Sequence, residues 1–88
     1  MLIPKRTKTF RKDIKRMQKN HKDMNKLKDV LELLVSEKPL PLEYNNHTLH
    51  GEYKGNMDCH IEPDWILIYY VKGETLHLIR TGTHSDLF

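Results

Sequence analysis

Six of the 88 residues are histidines, and five of them (His47, His50, His60, His77 and His84) follow residue 46. Histidine is the side chain whose unperturbed pKa, about 6.5, lets it both take and give a proton near neutral pH. Two such groups, one neutral and one protonated, suit cleavage of RNA by its own 2′-hydroxyl. One accepts the hydroxyl proton while the other protonates the departing 5′-oxygen. Each positioned acid or base is worth a factor of about 10²–10⁴ in rate. Charge building on the phosphorane favours a preorganised guanidinium, and Arg80 is the only arginine in the second half of the chain. RNA carries its own nucleophile, so no serine, cysteine or metal is required.

Other uses of these residues compete. A single histidine is more often a surface or hydrogen-bonded structural residue, and His21 and His77 are read that way. His21 sits in a helix connection, and His77 lies mid-strand with no acidic neighbour in sequence. Zinc is the rival reading of the cluster, but neither an HxxxH helix pair nor a Cys/His knuckle spacing is present. Cys59 reads as a small core residue. Trp65, directly after Pro63-Asp64, is either a core aromatic or a rim tryptophan that stacks on an unpaired base. Asp64 is a turn former or a carboxylate that orients a histidine. Phe88 either staples the end of the chain to the core or touches a base.

The elements that must position these groups follow from periodicity. Met1–Pro4 reads as a short edge strand, since proline is barred from central positions. Phe10, Ile14 and Met17 share one stripe of an amphipathic helix running from Lys5 to about Asn20. A second helix spans about Met24 to Val35, with Met24, Leu27, Leu31 and Leu34 inward, and ends before Pro39 and Pro41. Residues 39–47 read as a loop. Strands are expected at Leu49–Tyr53, Met57–Glu62, Trp65–Val71 and Thr75–Thr81, separated by Gly-, Asn- and Pro-containing turns. Alternation puts Met57, Cys59 and Ile61 on one side and Asp58, His60 and Glu62 on the other. Trp65–Val71, apolar on both sides, is the central strand. The fold class is α+β: two N-terminal helices on one face of a mainly antiparallel four- to five-stranded sheet. His60, and His50 in its strand, then point to the sheet face that the helices leave open.

Charge is divided unevenly. Residues 1–28 hold eleven Lys/Arg against Asp13 and Asp23, a balance of +9, while residues 29–88 hold four against ten Asp/Glu, a balance of −6. Such asymmetry suits nucleic acid, an acidic membrane surface or an acidic partner protein, and a solvated helix face explains it equally well. Length fits one domain, residues 1–88. The single cysteine excludes a disulfide framework, the first residues lack a signal-peptide stretch, and no apolar run approaches the roughly 20 residues that cross a bilayer. A cytoplasmic protein with no membrane contact is expected.

Longer strings carry more information. His47-Thr48-Leu49-His50-Gly51 has the form H-x-L-x-G, and Asp58-Cys59-His60-Ile61-Glu62-Pro63-Asp64-Trp65 follows it. The chain closes on Arg80-Thr81-Gly82-Thr83-His84-Ser85-Asp86-Leu87-Phe88. With His21-Lys22-Asp23-Met24-Asn25-Lys26-Leu27 in the helical half, these closely resemble the YafQ-like branch of the RelE/ParE toxin superfamily. The resemblance implies a RelE-like fold and a type II toxin that cleaves mRNA in the decoding site of the ribosome. A cognate antitoxin would hold it in check, and neither metal nor cofactor would take part. Carried over by motif position, the catalytic set is His47, His60, Asp64 and His84, with Arg80 as phosphate clamp and Trp65 and Phe88 shaping the pocket. His84 would be the base, and His47 or His60 the acid. His50, at the variable position of its string, and Lys54 are expected as further substrate contacts. Lys8, Arg11, Lys12, Lys15, Arg16 and Lys19 would track ribosomal RNA. The alternatives are a non-enzymatic ParE-like inhibitor of a protein such as gyrase, and a plain RNA-binding module.

Overall fold

A computed structural model describes residues Met1–Phe88. Its first strand, β1 (Ile3–Arg6), lies at an edge, as Pro4 requires. The N–H groups of Ile3 and Thr7 reach inward to Glu74 and Leu78, so the nitrogen of Pro4 faces outward, where no ladder bond is lost. Lys5 and Arg6 are consumed by this strand, and helix α1 therefore runs Lys8–Lys19, shorter than its periodicity suggests. Thr7 caps it by accepting from the Phe10 N–H. Helix α2 (Met24–Val35) has the expected bounds and is capped by Asp23.

The remaining strands are β2 (His47–Thr48), β3 (Met57–Glu62), β4 (Trp65–Lys72) and β5 (Thr75–Gly82), and a last short helix, α3, covers His84–Leu87. The sheet order is β1-β5-β4-β3-β2, with β1 parallel to β5 and every other pair antiparallel. β4 is thus the central strand, buried on both faces. Trp65, Leu67 and Tyr69 meet Phe10, Met17, Leu27, Val30 and Leu34 beneath the helices. Ile66 and Ile68 meet Leu87 on the other face, with Leu49, Tyr53 and Ile79 packed around them. No helix is long and apolar enough to cross a membrane.

Three local expectations change. The Leu49–Tyr53 segment is not a strand: pairing stops at Thr48, and Gly51 takes φ +73° to start a 3-10 turn over Gly51–Tyr53. That positive φ, accessible to glycine, turns the chain back over Ile66 and Ile68. A second 3-10 turn, Leu42–Tyr44, interrupts the loop expected at residues 39–47. Helix α3 was absent from the periodicity because four residues show none. Its signal is a capping box, in which the Thr83 side chain accepts from the Asp86 N–H while the Asp86 carboxylate accepts from the Thr83 N–H.

β1 covers β5 only as far as Leu78, and side chains of α1 take over from there. The Thr7 hydroxyl donates to the Ile79 carbonyl, Asp13 accepts from the Thr81 N–H, and Arg16 donates to the Thr81 carbonyl. Strand-edge groups that would otherwise be buried unpaired are satisfied in this way. A bulge at Ile79 puts Arg80 in register with Ile68 and Thr81 in register with Leu67.

Candidate active site

Three histidines from three elements converge at one end of the sheet. β3 supplies His60, β2 supplies His47, and the start of α3 supplies His84. Ring centroids are 6.2 Å apart for His47–His60 and 5.8 Å for His60–His84. His60 is the central and least exposed member.

Each outer histidine leans on a carboxylate. Asp64, in the β3–β4 turn, accepts from the backbone N–H of His84 at 2.9 Å, and its Oδ1 lies 2.9 Å from His84 Nδ1. The Nδ1 proton is therefore held by Asp64, and Nε2 is left to face the solvent. The backbone N–H, followed by the imidazole, holds the Asp64 carboxyl below its usual range.

His47 stands directly opposite Asp58 in the β2–β3 ladder. Its Nδ1 lies 2.9 Å from the Asn45 carbonyl, and its Nε2 lies 3.0 Å from Asp58 Oδ1. The second contact is close enough for an ion pair but not aligned for a hydrogen bond, so this oxygen is buried without a donor. The other oxygen of Asp58 is 3.7 Å from His60 Nε2. Asp58 is only 3% exposed. Burial pushes its carboxyl above the usual range, while His47, His60 and His84 pull it back. His47 thus presents one ring nitrogen to a carbonyl and the other to a carboxylate, both of them acceptors. The site thus sets a histidine held by an exposed carboxylate, His84–Asp64, beside a group that shares a buried one, His47–Asp58–His60. That is the pairing general acid–base chemistry needs.

Phe88 projects beside this cluster, 62% exposed, edge-on to Tyr53 at 5.6 Å and tilted against His84 at 6.1 Å. On the other side of His60 a concavity of about 510 Å³ is lined by Glu43, Tyr44, Asn45 and Glu62. No three His, Cys, Asp or Glu side chains converge closely enough to hold one metal ion.

A protein-family model described as the bacterial toxin of type II toxin-antitoxin systems, YafQ, matches residues 2–88. The chain belongs to the YafQ family. The curated mRNA interferase toxin YafQ of Escherichia coli K12 is 52% identical over 80 residues, 90% of this chain and 87% of that one. The crystal structure of the E. coli DinJ-YafQ complex contains a chain 47% identical, with TM-score 0.92 over 100% of this chain and 99% of that one. A metal-bound toxin from Helicobacter pylori is 41% identical, with TM-score 0.93 over the whole of both chains. The family and fold expected from the motif strings are both borne out. The expected activity agrees with the name of the E. coli relative.

Within this YafQ fold the predicted site residues divide. His47, His60, Asp64, His84 and Phe88 come together. Trp65 does not reach the surface: it is fully buried, and its Nε1–H donates to the Thr81 hydroxyl, which donates to the Ile66 carbonyl. It therefore cannot stack on a base, because the indole is enclosed in the core beneath the helices. Arg80 is not a free phosphate clamp. Its Nε and Nη2 donate to the two oxygens of Asp13 at 2.7 and 3.1 Å, and Nη1 is left toward the Tyr53 hydroxyl at 3.4 Å. His50 and Lys54 are exposed on the loop around the Gly51 turn and make no hydrogen bond to the histidines.

The basic helix divides as well. Lys8, Arg11, Lys12, Lys15 and Lys19 are exposed, and Lys12, Lys15 and Lys19 flank a groove of about 290 Å³. Arg16, at the base of that groove, is committed elsewhere. It pairs with Asp13 at 3.0 Å and lies 3.4 Å from Asp86, besides donating to the Thr81 carbonyl. Gly82 permits this closure, since a Cβ there would lie 2.8 Å from Arg16 Nη2 and 2.9 Å from Asp86. The glycine of the closing string is thus a packing requirement of α3. Cys59 is a core residue, its thiol pushed up to about 12 chiefly by burial. Asp58, Asp13 and Tyr53 were missed among the site residues. Alternation had placed Asp58 on the face of His60, and that was the available signal.

Proposed function

We propose that this YafQ-family toxin is an mRNA interferase that cuts RNA by acid–base catalysis, with His84 as base and His60 as acid. The supporting observation is the row His84, His60, His47, with Asp64 at one end and buried Asp58 at the other. Asp64 fixes the Nδ1 proton of His84, so Nε2 takes the proton of the 2′-hydroxyl as the O2′–P bond forms. His60, 5.8 Å away, gives its proton to the 5′-oxygen as the P–O5′ bond breaks. That spacing straddles a phosphate. The products are a 2′,3′-cyclic phosphate and a 5′-hydroxyl end. His47, held beside Asp58, adds positive potential under the phosphorane. Arg80 acts as a positioning residue: it holds Tyr53, against which Phe88 packs, and Phe88 offers its exposed ring to a flanking base.

The substrate in this reading is mRNA in the ribosomal decoding site. The exposed lysines of α1 follow ribosomal RNA phosphates, and Asp86–Arg16 joins that helix to the catalytic helix α3. A cognate antitoxin is the second partner, in keeping with the DinJ-YafQ assembly of the E. coli relative, and the setting is the cytoplasm. His60→Ala and His84→Ala are expected to abolish growth arrest and the appearance of 5′-hydroxyl mRNA ends in cells. Toeprinting on translating ribosomes should show discrete cuts. Growth arrest by both variants without cuts would instead favour a gyrase-type protein target. RNA affinity without new ends would favour a plain binding module.

A further inference from the structure

The sheet face that carries His60 extends past the catalytic cluster. Beyond Ile68, the next row across β4, β5 and β1 is Tyr70, His77 and Lys5, followed by Lys72, Thr75 and Ile3. The helices cover the opposite face, and the Gly51 loop and α3 stop short at Ile66 and Ile68. Tyr70 and His77 are stacked face to face, centroids 4.4 Å apart and planes within 11°. Both are half-buried. Each ring covers one face of the other, and neither ring makes a polar contact that would explain its type.

The charge around this pair has one sign. Strands β1, β4 and β5 contain no carboxylate, and Glu74 at the β4–β5 turn is the only acidic residue in the connected hairpin. Lys5 and Lys72 are exposed and pair with no carboxylate. Aromatic faces flanked by unpaired cations suit unpaired nucleic acid: bases stack on rings irrespective of sequence, while lysines meet the phosphates. Tyr70 lies four residues along β4 from Ile66, the strand partner of His60, which is about 13 Å at the usual rise per residue. A few nucleotides of unpaired strand span that distance.

We infer that Tyr70 and His77, with Lys5 and Lys72, form a stacking subsite for the substrate RNA strand a few nucleotides from the scissile phosphate. The inference rests on the mRNA-cleaving reading above and adds a second anchor to it. The subsite holds the strand along the sheet without reading its sequence, and leaves the proton transfers to the histidines. A purely structural cross-strand pair would stabilise the hairpin and touch nothing else.

Two measurements on ribosomes programmed with labelled mRNA test it. In a His84→Gln background, which keeps the strand whole, Tyr70→p-benzoylphenylalanine should crosslink to the mRNA a few nucleotides from the cut position. Crosslinks confined to ribosomal RNA or protein, or none at all, would overturn the assignment. In the active protein, His77→Thr, which retains strand propensity, and Lys5→Glu/Lys72→Glu should each raise KM about tenfold with kcat unchanged. An unchanged KM with a lowered Tm for His77→Thr would make the pair structural only. If the wild-type chain cuts no ribosome-bound mRNA, the functional reading itself fails. If it cuts and these variants cut with the same KM, only the subsite fails.

Discussion

Asp58 lies buried beside the histidine cluster with one oxygen 3.0 Å from His47 Nε2 and the other 3.7 Å from His60 Nε2. A carboxylate so placed faces both imidazoles, but it is desolvated and one oxygen has no hydrogen-bond donor. Its function and its contribution to stability therefore have opposite signs.

The Asp58 carboxyl is raised in the fold by burial, so the unfolded chain loses this proton first as pH rises. Stability attributable to Asp58 accordingly falls from the unfolded value upward to the folded one. Asp58→Asn removes that loss. The variant should be more stable than wild type near neutral pH, by about 1 kcal/mol, and the gain should vanish toward pH 3. Its cleavage rate should fall at least tenfold. Thermal melts against pH, with cleavage at pH 7, check both. A variant that is less stable at every pH would show that Asp58 is held by favourable contacts instead.

Asp64 acts on His84 through geometry, because its carboxylate fixes which ring nitrogen carries the proton. Asp64→Ala should lower kcat by about 10² and leave substrate binding nearly intact. Asp64→Asn, whose amide oxygen still accepts from Nδ1–H, should recover part of the rate. Nitrogen NMR of the His84 ring should show the Nδ1–H form in wild type and its partial loss in Asp64→Ala. Equal rates for the alanine and asparagine variants would remove the tautomer argument.

Arg80 and Asp13 bind α1 to the exposed end of β5, and Asp13 is 1% exposed. Arg80→Ala leaves that carboxylate with Arg16 and the Thr81 N–H alone, at a cost of about 3 kcal/mol. Asp13→Asn in the same chain should restore much of the lost Tm, since no buried charge is then short of a partner. Activity should not return with it, because Tyr53 has lost the guanidinium beside its hydroxyl. A Tm that falls additively in the double variant would show the two residues to be independent.

These tests also mark what the sequence could and could not show. The helices, β3, β4 and β5 were legible because each has an apolar face of helical or strand period, and β4, apolar on both sides, had to be central. The Gly51 turn and α3 were not, since each is set by single residues: a positive φ in one case, a four-residue capping box in the other. For the proposed catalytic residues, the motif strings pointed to His47, His60, Asp64 and His84, and strand alternation independently faced His60 away from the helices. Residue type and motif position together misled at Trp65 and Arg80. Each looked suited to RNA, yet what decides their roles is the indole's place under the helices and a carboxylate 67 residues away in the chain. Periodicity carries no information on such long-range partners.

The exposed cations of α1 separate from Arg16 by the same logic. Lys12, Lys15 and Lys19 flank a groove and form no ion pair, whereas Arg16 is held by Asp13, Asp86 and the Thr81 carbonyl. Replacing the three lysines by alanine should weaken ribosome binding in proportion to the phosphates they meet. With about 0.7–0.9 counterions released per contact, the slope of log affinity against log salt should fall by roughly 2. The pattern of cut sites should not change, because phosphate contacts carry no sequence information. Arg16→Ala should behave differently, lowering Tm and disordering α3, with His84 on it, before any change in salt slope is seen. Binding titrations from low to high salt, with melts of each variant, distinguish the two. An unchanged slope in the triple variant would show that the basic face of α1 does not meet ribosomal phosphates.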